Sequence, residues 1–356
     1  MTKEFLTGNE AIVHGALAAG AEMMTGYPIT PTTEIMENWA KEVVKNPKLK
    51  FLQTEDEMAA GFAMIGAILA GVKAFSATAG PGNVLMQDAF SMAENLRLPT
   101  VAFINQRGGP STGTVIYSQQ ELNLTCFGGN GEGMRIVYST AGIQDLYDYA
   151  IKAFNTAWEY RFPTFLLADG YQAKTQTQIE VYEPSEKQIE IVPSTAYVLR
   201  QKRNQNEYAH LRNTYNTESQ LTEILDNHHR YYEEIIPQVL EFDDYHTLDA
   251  EVVIFAHGIV AAVAKLVVDG LRSEGKKIGL FRPITLRPFP QESARSIAKD
   301  RKAILVVESS FGQFEKMVKS NLYGLTTPVQ TLLKPAVGVS YEEISQKVQE
   351  ILTSKG

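Results

Sequence analysis

Apolar residues recur at three- to four-residue spacing from Gly8 to Ala19, which predicts a helix with Asn9 as its N-cap. The same period returns over Thr32–Val44, Asp56–Gly71, Asn83–Asn95 and Ile143–Tyr160. Between these stretches, short β-rich runs predict strands at Lys50–Gln53, Ala74–Thr78, Thr100–Asn105 and Thr164–Ala168. Strands alternating with helices of this length imply an α/β fold, a mostly parallel sheet covered on both faces. From about residue 182 the texture turns polar, poor in glycine and rich in charge and tyrosine. The α/β alternation restarts with a strand over 251–256, a helix over Ile259–Glu274 and strands at Lys277–Phe281 and Ala303–Glu308. The expected organisation is an α/β unit over 1–185, a polar and largely helical connector over 186–248, and a smaller α/β unit over 249–356.

Composition narrows the function. Acidic residues exceed basic ones by 41 to 33, a net charge of −8, and no Lys/Arg run stands ready to displace phosphate counterions. A nucleic-acid partner is therefore not expected. The most apolar stretch, Met58–Val72, is bounded by acids and Lys73 and falls short of the ~20 residues a membrane span needs. The first ten residues lack the apolar core of a signal peptide. A single cysteine, Cys126, excludes a disulfide within the chain and any thiolate-built zinc or iron–sulfur site on this chain alone. It reads as a buried thiol or a loop residue beside Gly128, and the usage fits a reducing cytoplasm. The adjacent His228 and His229 point to different helix faces and read as a solvated helix end.

Four segments carry possible chemistry. Tyr27–Glu34 places Thr30 between two prolines, a rigid turn that either enters a helix or presents a hydroxyl to a ligand. Thr54–Glu57 fits a capping box, with Glu57 as its N3 member; alternatively, Glu57 is a carboxyl at the mouth of a small-residue helix, its pKa raised by an apolar setting. Ala74–Asn83 is a strand running through Gly80-Pro81-Gly82 into a helix, a junction that brings backbone amides near a ligand. Arg107 follows a strand and precedes Gly108–Gly113, a setting suited to a surface turn or to gripping a small carboxylate. Gly128–Gly133 reads as a mobile glycine loop, and Asp169-Gly170 as a turn.

Taken together, GNEAIVHGALAAGAEMMTGYPITPTTEI (8–35), the helix and glycine-loop segment over 52–87, and LPTVAFINQRGGPSTG (98–113) resemble the alpha subunits of 2-oxoacid:ferredoxin oxidoreductases. Residues 252–290 and VVESSFGQ (306–313) resemble that family's transketolase-C-terminal-like domain. The resemblance implies a pyrimidine-binding domain over the first 185 residues and a thiamine-diphosphate cofactor shared with a beta subunit. Glu57, nine residues before Gly66, would be the catalytic acid on the aminopyrimidine N1′, with Glu55 as the alternative. Ile29 would pack against the cofactor, Thr30 would contact the substrate, and Arg107 would pair with its carboxylate.

The implied reaction is oxidative decarboxylation of a 2-oxoacid with coenzyme A, giving acyl-CoA, CO2 and reduced ferredoxin. GGPSTG favours 2-oxoglutarate, whereas Tyr117–Leu122 departs from the segment common in 2-oxoglutarate enzymes. Mg2+ and a [4Fe-4S] cluster would sit on partner subunits, the beta subunit first, with gamma and delta subunits as further candidates. The alternatives are a non-oxidative thiamine-diphosphate decarboxylase subunit and a catalytically silent regulatory subunit.

Overall fold

The structure is a computed structural model that describes residues 1–194 and 211–354. Seven strands form the larger sheet, in the order Thr285–Arg287, Ile136–Ser139, Thr164–Asp169, Val101–Gln106, Ala74–Thr78, Met23–Gly26 and Lys50–Gln53. All neighbours run parallel except Thr285–Arg287, which joins Ile136–Ser139 antiparallel. Five strands form the second sheet, in the order Val329–Leu333, Ala303–Glu308, Val252–Phe255, Ile278–Pro283 and Phe242–Tyr245. A third, two-stranded sheet pairs Thr2–Thr7 antiparallel with Gln176–Val181. The expected α/β fold is therefore present, with helices on the sheet faces and the second sheet in the C-terminal part.

The strands that lead to the candidate residues are pinned from behind by aromatic packing. Phe75 meets Trp39, Phe103 and Phe154 edge-on at 5.0, 5.5 and 5.9 Å, and all four rings are fully buried. Removing such a ring typically costs about 3–5 kcal/mol, so the positions of Thr78 and Arg107 at the ends of these strands rest on a rigid base.

Several local expectations change. Thr7, not Asn9, caps the first helix, Gly8–Ala18: its hydroxyl accepts from the Glu10 amide while the Glu10 carboxylate accepts from the Thr7 amide. The helix Asn83–Asn95 is two helices, Pro81–Leu85 and Gln87–Leu96, meeting at Met86. Asp169 caps a short helix, Gly170–Lys174, where a turn was expected. His228 and His229 lie in the middle of the helix Glu218–Val239, not at its end, and His228 is half-buried with its pKa lowered by burial and by Arg97. That helix packs Tyr232, Ile235 and Val239 into the core of the larger sheet, and Tyr232 donates to the Arg135 carbonyl at 2.7 Å. Residues 195–210 of the expected connector lie outside the described residues. Cys126 is fully buried in the helix Leu122–Phe127, and burial pushes its thiol up to about 12. No described helix is long and apolar enough to cross a membrane.

Candidate active site

Parallel pairing puts the carboxyl ends of Met23–Gly26, Ala74–Thr78 and Val101–Gln106 at one edge of the sheet. The chain leaves these strands into the Tyr27–Thr30 turn, the Gly80–Gly82 loop and Arg107, respectively. Lys50–Gln53, parallel at the end of the row, leads into the helix Glu57–Leu69. Ligands of open parallel sheets bind beyond this edge.

The helix Glu57–Leu69 is capped by Asp56, whose Oδ1 accepts the Ala59 amide at 2.7 Å. The Thr54 hydroxyl instead donates to the carbonyls of Gly26 and Asp56, at 3.2 and 2.7 Å. The expected capping box thus does not form, and Glu57 is the first residue of the helix, not its N3 position. Glu57 is 6% exposed, whereas Glu55 is exposed. Its carboxyl lies against the loop: a Cβ on Gly82 would fall 2.6 Å from Glu57 Oε1 and 2.1 Å from Thr78 Oγ1. Burial raises its pKa and Asp56 adds to the rise, while its own backbone amide and the Arg107 charge oppose it. The Thr78 hydroxyl beside it is buried without a hydrogen-bond partner.

Arg107 is 5% exposed and crosses Gly80, whose φ of +53° suits glycine. A Cβ there would lie 2.6 Å from Arg107 Nε. The guanidinium donates from Nη1 to the Thr30 carbonyl at 2.9 Å, while Nε is buried without a partner. Thr30 is exposed and Ile29 half-buried. Their turn is closed by Thr32, whose amide and hydroxyl both donate to the Ile29 carbonyl at 2.8 Å. Asn9 holds it from below: its Nδ2 donates to the Pro31 carbonyl at 2.8 Å, and its Oδ1 accepts from Asn105 at 2.9 Å.

A cavity of about 430 Å³ opens beside Arg107, walled by Gly80, Pro81, Val84, Leu85 and Leu124. Two larger concavities, of about 690 and 680 Å³, border the helix Glu218–Val239 and contain none of Glu57, Arg107 and Thr30. The smaller one matters more, because volume without reactive groups decides nothing. Glu121 at the floor of this cavity was not singled out by the sequence. It lies in Tyr117–Leu122, fourteen residues after Arg107, and no local motif flags it.

Comparison with known proteins identifies the family and the fold. The family model for "Pyruvate flavodoxin/ferredoxin oxidoreductase, thiamine diP-bdg" matches residues 14–243, and the model for "Pyruvate:ferredoxin oxidoreductase core domain II" matches 250–345. The chain belongs to the thiamine-diphosphate-dependent 2-oxoacid:ferredoxin oxidoreductase family, as an alpha subunit. It is 33% identical to the ketoisovalerate oxidoreductase subunit VorB of Methanothermobacter marburgensis, over 90% of each chain. It is 31% identical to the 2-oxoglutarate synthase subunit KorA of Methanocaldococcus jannaschii, over 88% of this chain and 90% of that one. The solved 2-oxoglutarate:ferredoxin oxidoreductase of Magnetococcus marinus shares the fold at TM-score 0.90 and 23% identity. The match covers 99% of this alpha subunit and 65% of that chain. A split-gene transketolase shares the fold at TM-score 0.60 and 16% identity, over 97% of this chain and 96% of its own.

The residues present fit the pyrimidine end of thiamine diphosphate. A buried acid, the unpartnered Thr78 hydroxyl and a glycine surface too tight for a Cβ converge at one place. Among the described residues no group of three or more His, Cys, Asp or Glu could hold a metal ion.

Proposed function

We propose that this alpha subunit, joined to a beta subunit, carries out the coenzyme A-dependent oxidative decarboxylation of a 2-oxoacid, with ferredoxin as electron acceptor. The observation that carries the reading is the buried Glu57 carboxyl facing Gly82 and Thr78 beside the half-satisfied guanidinium of Arg107. Thiamine diphosphate, when bound, supplies the nucleophilic carbon and electron sink that this chemistry requires. Burial shifts the Glu57 carboxyl toward its protonated form, and from there it would hydrogen-bond a ring nitrogen of the cofactor. Arg107 offers Nε and the remainder of its fork to the substrate carboxylate, and the Thr30 hydroxyl adds a donor from the rigid turn. Ile29 lines the cofactor side, and the apolar wall of Val84, Leu85 and Leu124 excludes water once the partner covers it.

The favoured substrate is 2-oxoglutarate, the acid of the Methanocaldococcus synthase and the Magnetococcus oxidoreductase that this chain resembles. Mg2+ and the [4Fe-4S] cluster are assigned to the beta subunit, with gamma and delta subunits as further partners and the cytoplasm as the compartment. Co-expression with a candidate beta subunit, followed by coenzyme A-dependent viologen reduction over a panel of 2-oxoacids, tests the reading. Free aldehyde without viologen reduction would indicate a non-oxidative decarboxylase instead, and failure of the complex to bind thiamine diphosphate would indicate a silent subunit.

A further inference from the structure

Glu121 is 5% exposed and sits where two functional loops meet. Its Oε1 accepts the Gly80 amide at 2.8 Å and the Arg107 amide at 3.0 Å. Its Oε2 accepts from Asn83 Nδ2 at 3.0 Å, and its own amide donates to Gln106 Oε1 at 3.2 Å. The glycine loop on one side packs against Glu57, through Gly82, and the strand end on the other carries the substrate arginine. A carboxylate buried this deeply is costly unless several donors surround it. Here those donors come from both loops, so the compensation exists only while the two loops keep their relative places. The Arg107 side chain also crosses Gly80, and any drift of that residue carries the guanidinium with it.

We propose that Glu121 is a positioning residue that fastens the Gly80–Asn83 loop to the Arg107 main chain and so sets the spacing between the Glu57 acid and the substrate carboxylate. The inference rests on the function proposed above.

Three variants test it in the co-expressed complex. Glu121→Asp withdraws the carboxylate by one methylene, so that it no longer reaches both amides. It raises KM for the 2-oxoacid about tenfold or more, and kcat falls less. Glu121→Gln keeps an oxygen for both amides and loses only the Asn83 partner, holding KM within about threefold of wild type. Asn83→Ala removes that same partner from the other side, along with its bonds to Thr125 and Gln87, and leaves both amide bonds to Glu121 in place. A merely structural role would instead lower the thermal midpoint and the active fraction and leave KM unmoved. A folded Glu121→Asp complex with wild-type KM overturns the inference. If that variant does not fold, a KM raised about tenfold or more in Glu121→Gln, which keeps both amide bonds, overturns it. Absence of activity in the wild-type complex overturns the functional reading together with the inference, whereas an active wild-type complex with unchanged KM in folded Glu121→Asp overturns the inference alone.

Discussion

Arg107 donates from Nη1 to the main-chain oxygen of Thr30 at 2.9 Å, joining the end of the strand Val101–Gln106 to the proline turn. The two positions proposed to contact substrate thus form one unit, held by a charged donor on a carbonyl. One arm of the guanidinium is spent on the turn, and the buried Nε has no hydrogen-bond partner.

Arg107→Lys keeps the charge but replaces a planar fork by a single ammonium. It cannot hold the Thr30 carbonyl and a substrate carboxylate in the same geometry. KM for the 2-oxoacid rises about ten- to a hundredfold, with a smaller fall in kcat, in steady-state viologen reduction. A variant KM equal to wild type would remove Arg107 from substrate binding.

Gly82→Ala places a methyl 2.1 Å from Thr78 Oγ1 and 2.6 Å from Glu57 Oε1. Both groups must move, and calorimetry on the complex should show thiamine diphosphate binding weakened about tenfold or more. Gly66→Ala is the contrasting change in the neighbouring helix, since nothing lies within 4 Å of its added Cβ. There the isolated subunit gains about 0.5–1 kcal/mol in denaturant unfolding from the better helix propensity.

How much of this could be read from the sequence depends on how local each signal is. Strands such as Lys50–Gln53 and Ala74–Thr78 carry their own hydrophobic run and were readable with those bounds. Met23–Gly26 contains Thr and Gly and becomes a strand because neighbours on both sides pair with it. Thr2–Thr7 and Gln176–Val181 are far apart in the chain, and neither is a strand without the other. Thr285–Arg287 leaves the C-terminal part to join the larger sheet, which no local pattern announces. At the site, Thr30, Glu57 and Arg107 were legible because glycines and prolines mark their turns. Glu121 was not, since its role consists of bonds to Gly80 and Asn83, about forty residues upstream. Asn9 looked like a cap by residue type, yet its amide is needed by Pro31 and Asn105 across the fold.

Asp169 supplies a pH-dependent prediction. Its Oδ1 accepts the amides of Tyr171 and Gln172 at 2.9 and 3.0 Å. Burial nevertheless pushes its carboxyl from 3.8 up to about 7, those two bonds opposing the rise. The folded chain therefore binds a proton here that the unfolded chain has released. The stability contributed by the neutral acid is fully present below 3.8 and is lost as pH rises to about 7. Asp169→Asn keeps the accepting oxygen without the titration. Relative to wild type it gains stability across that window and holds the gain above it, in urea unfolding followed against pH. Parallel wild-type and variant curves would rule the coupling out.

Glu57, beside Gly82, is the acid proposed to activate the cofactor. Glu57→Gln preserves the shape and hydrogen-bonding length of the side chain but removes the titrating proton. The most direct measurement is coenzyme A-dependent viologen reduction by the co-expressed complex carrying this substitution, alongside thiamine diphosphate affinity. The expected result is a fall in kcat of about a hundredfold or more, with the cofactor still bound. Full turnover in the Glu57→Gln complex would contradict the account.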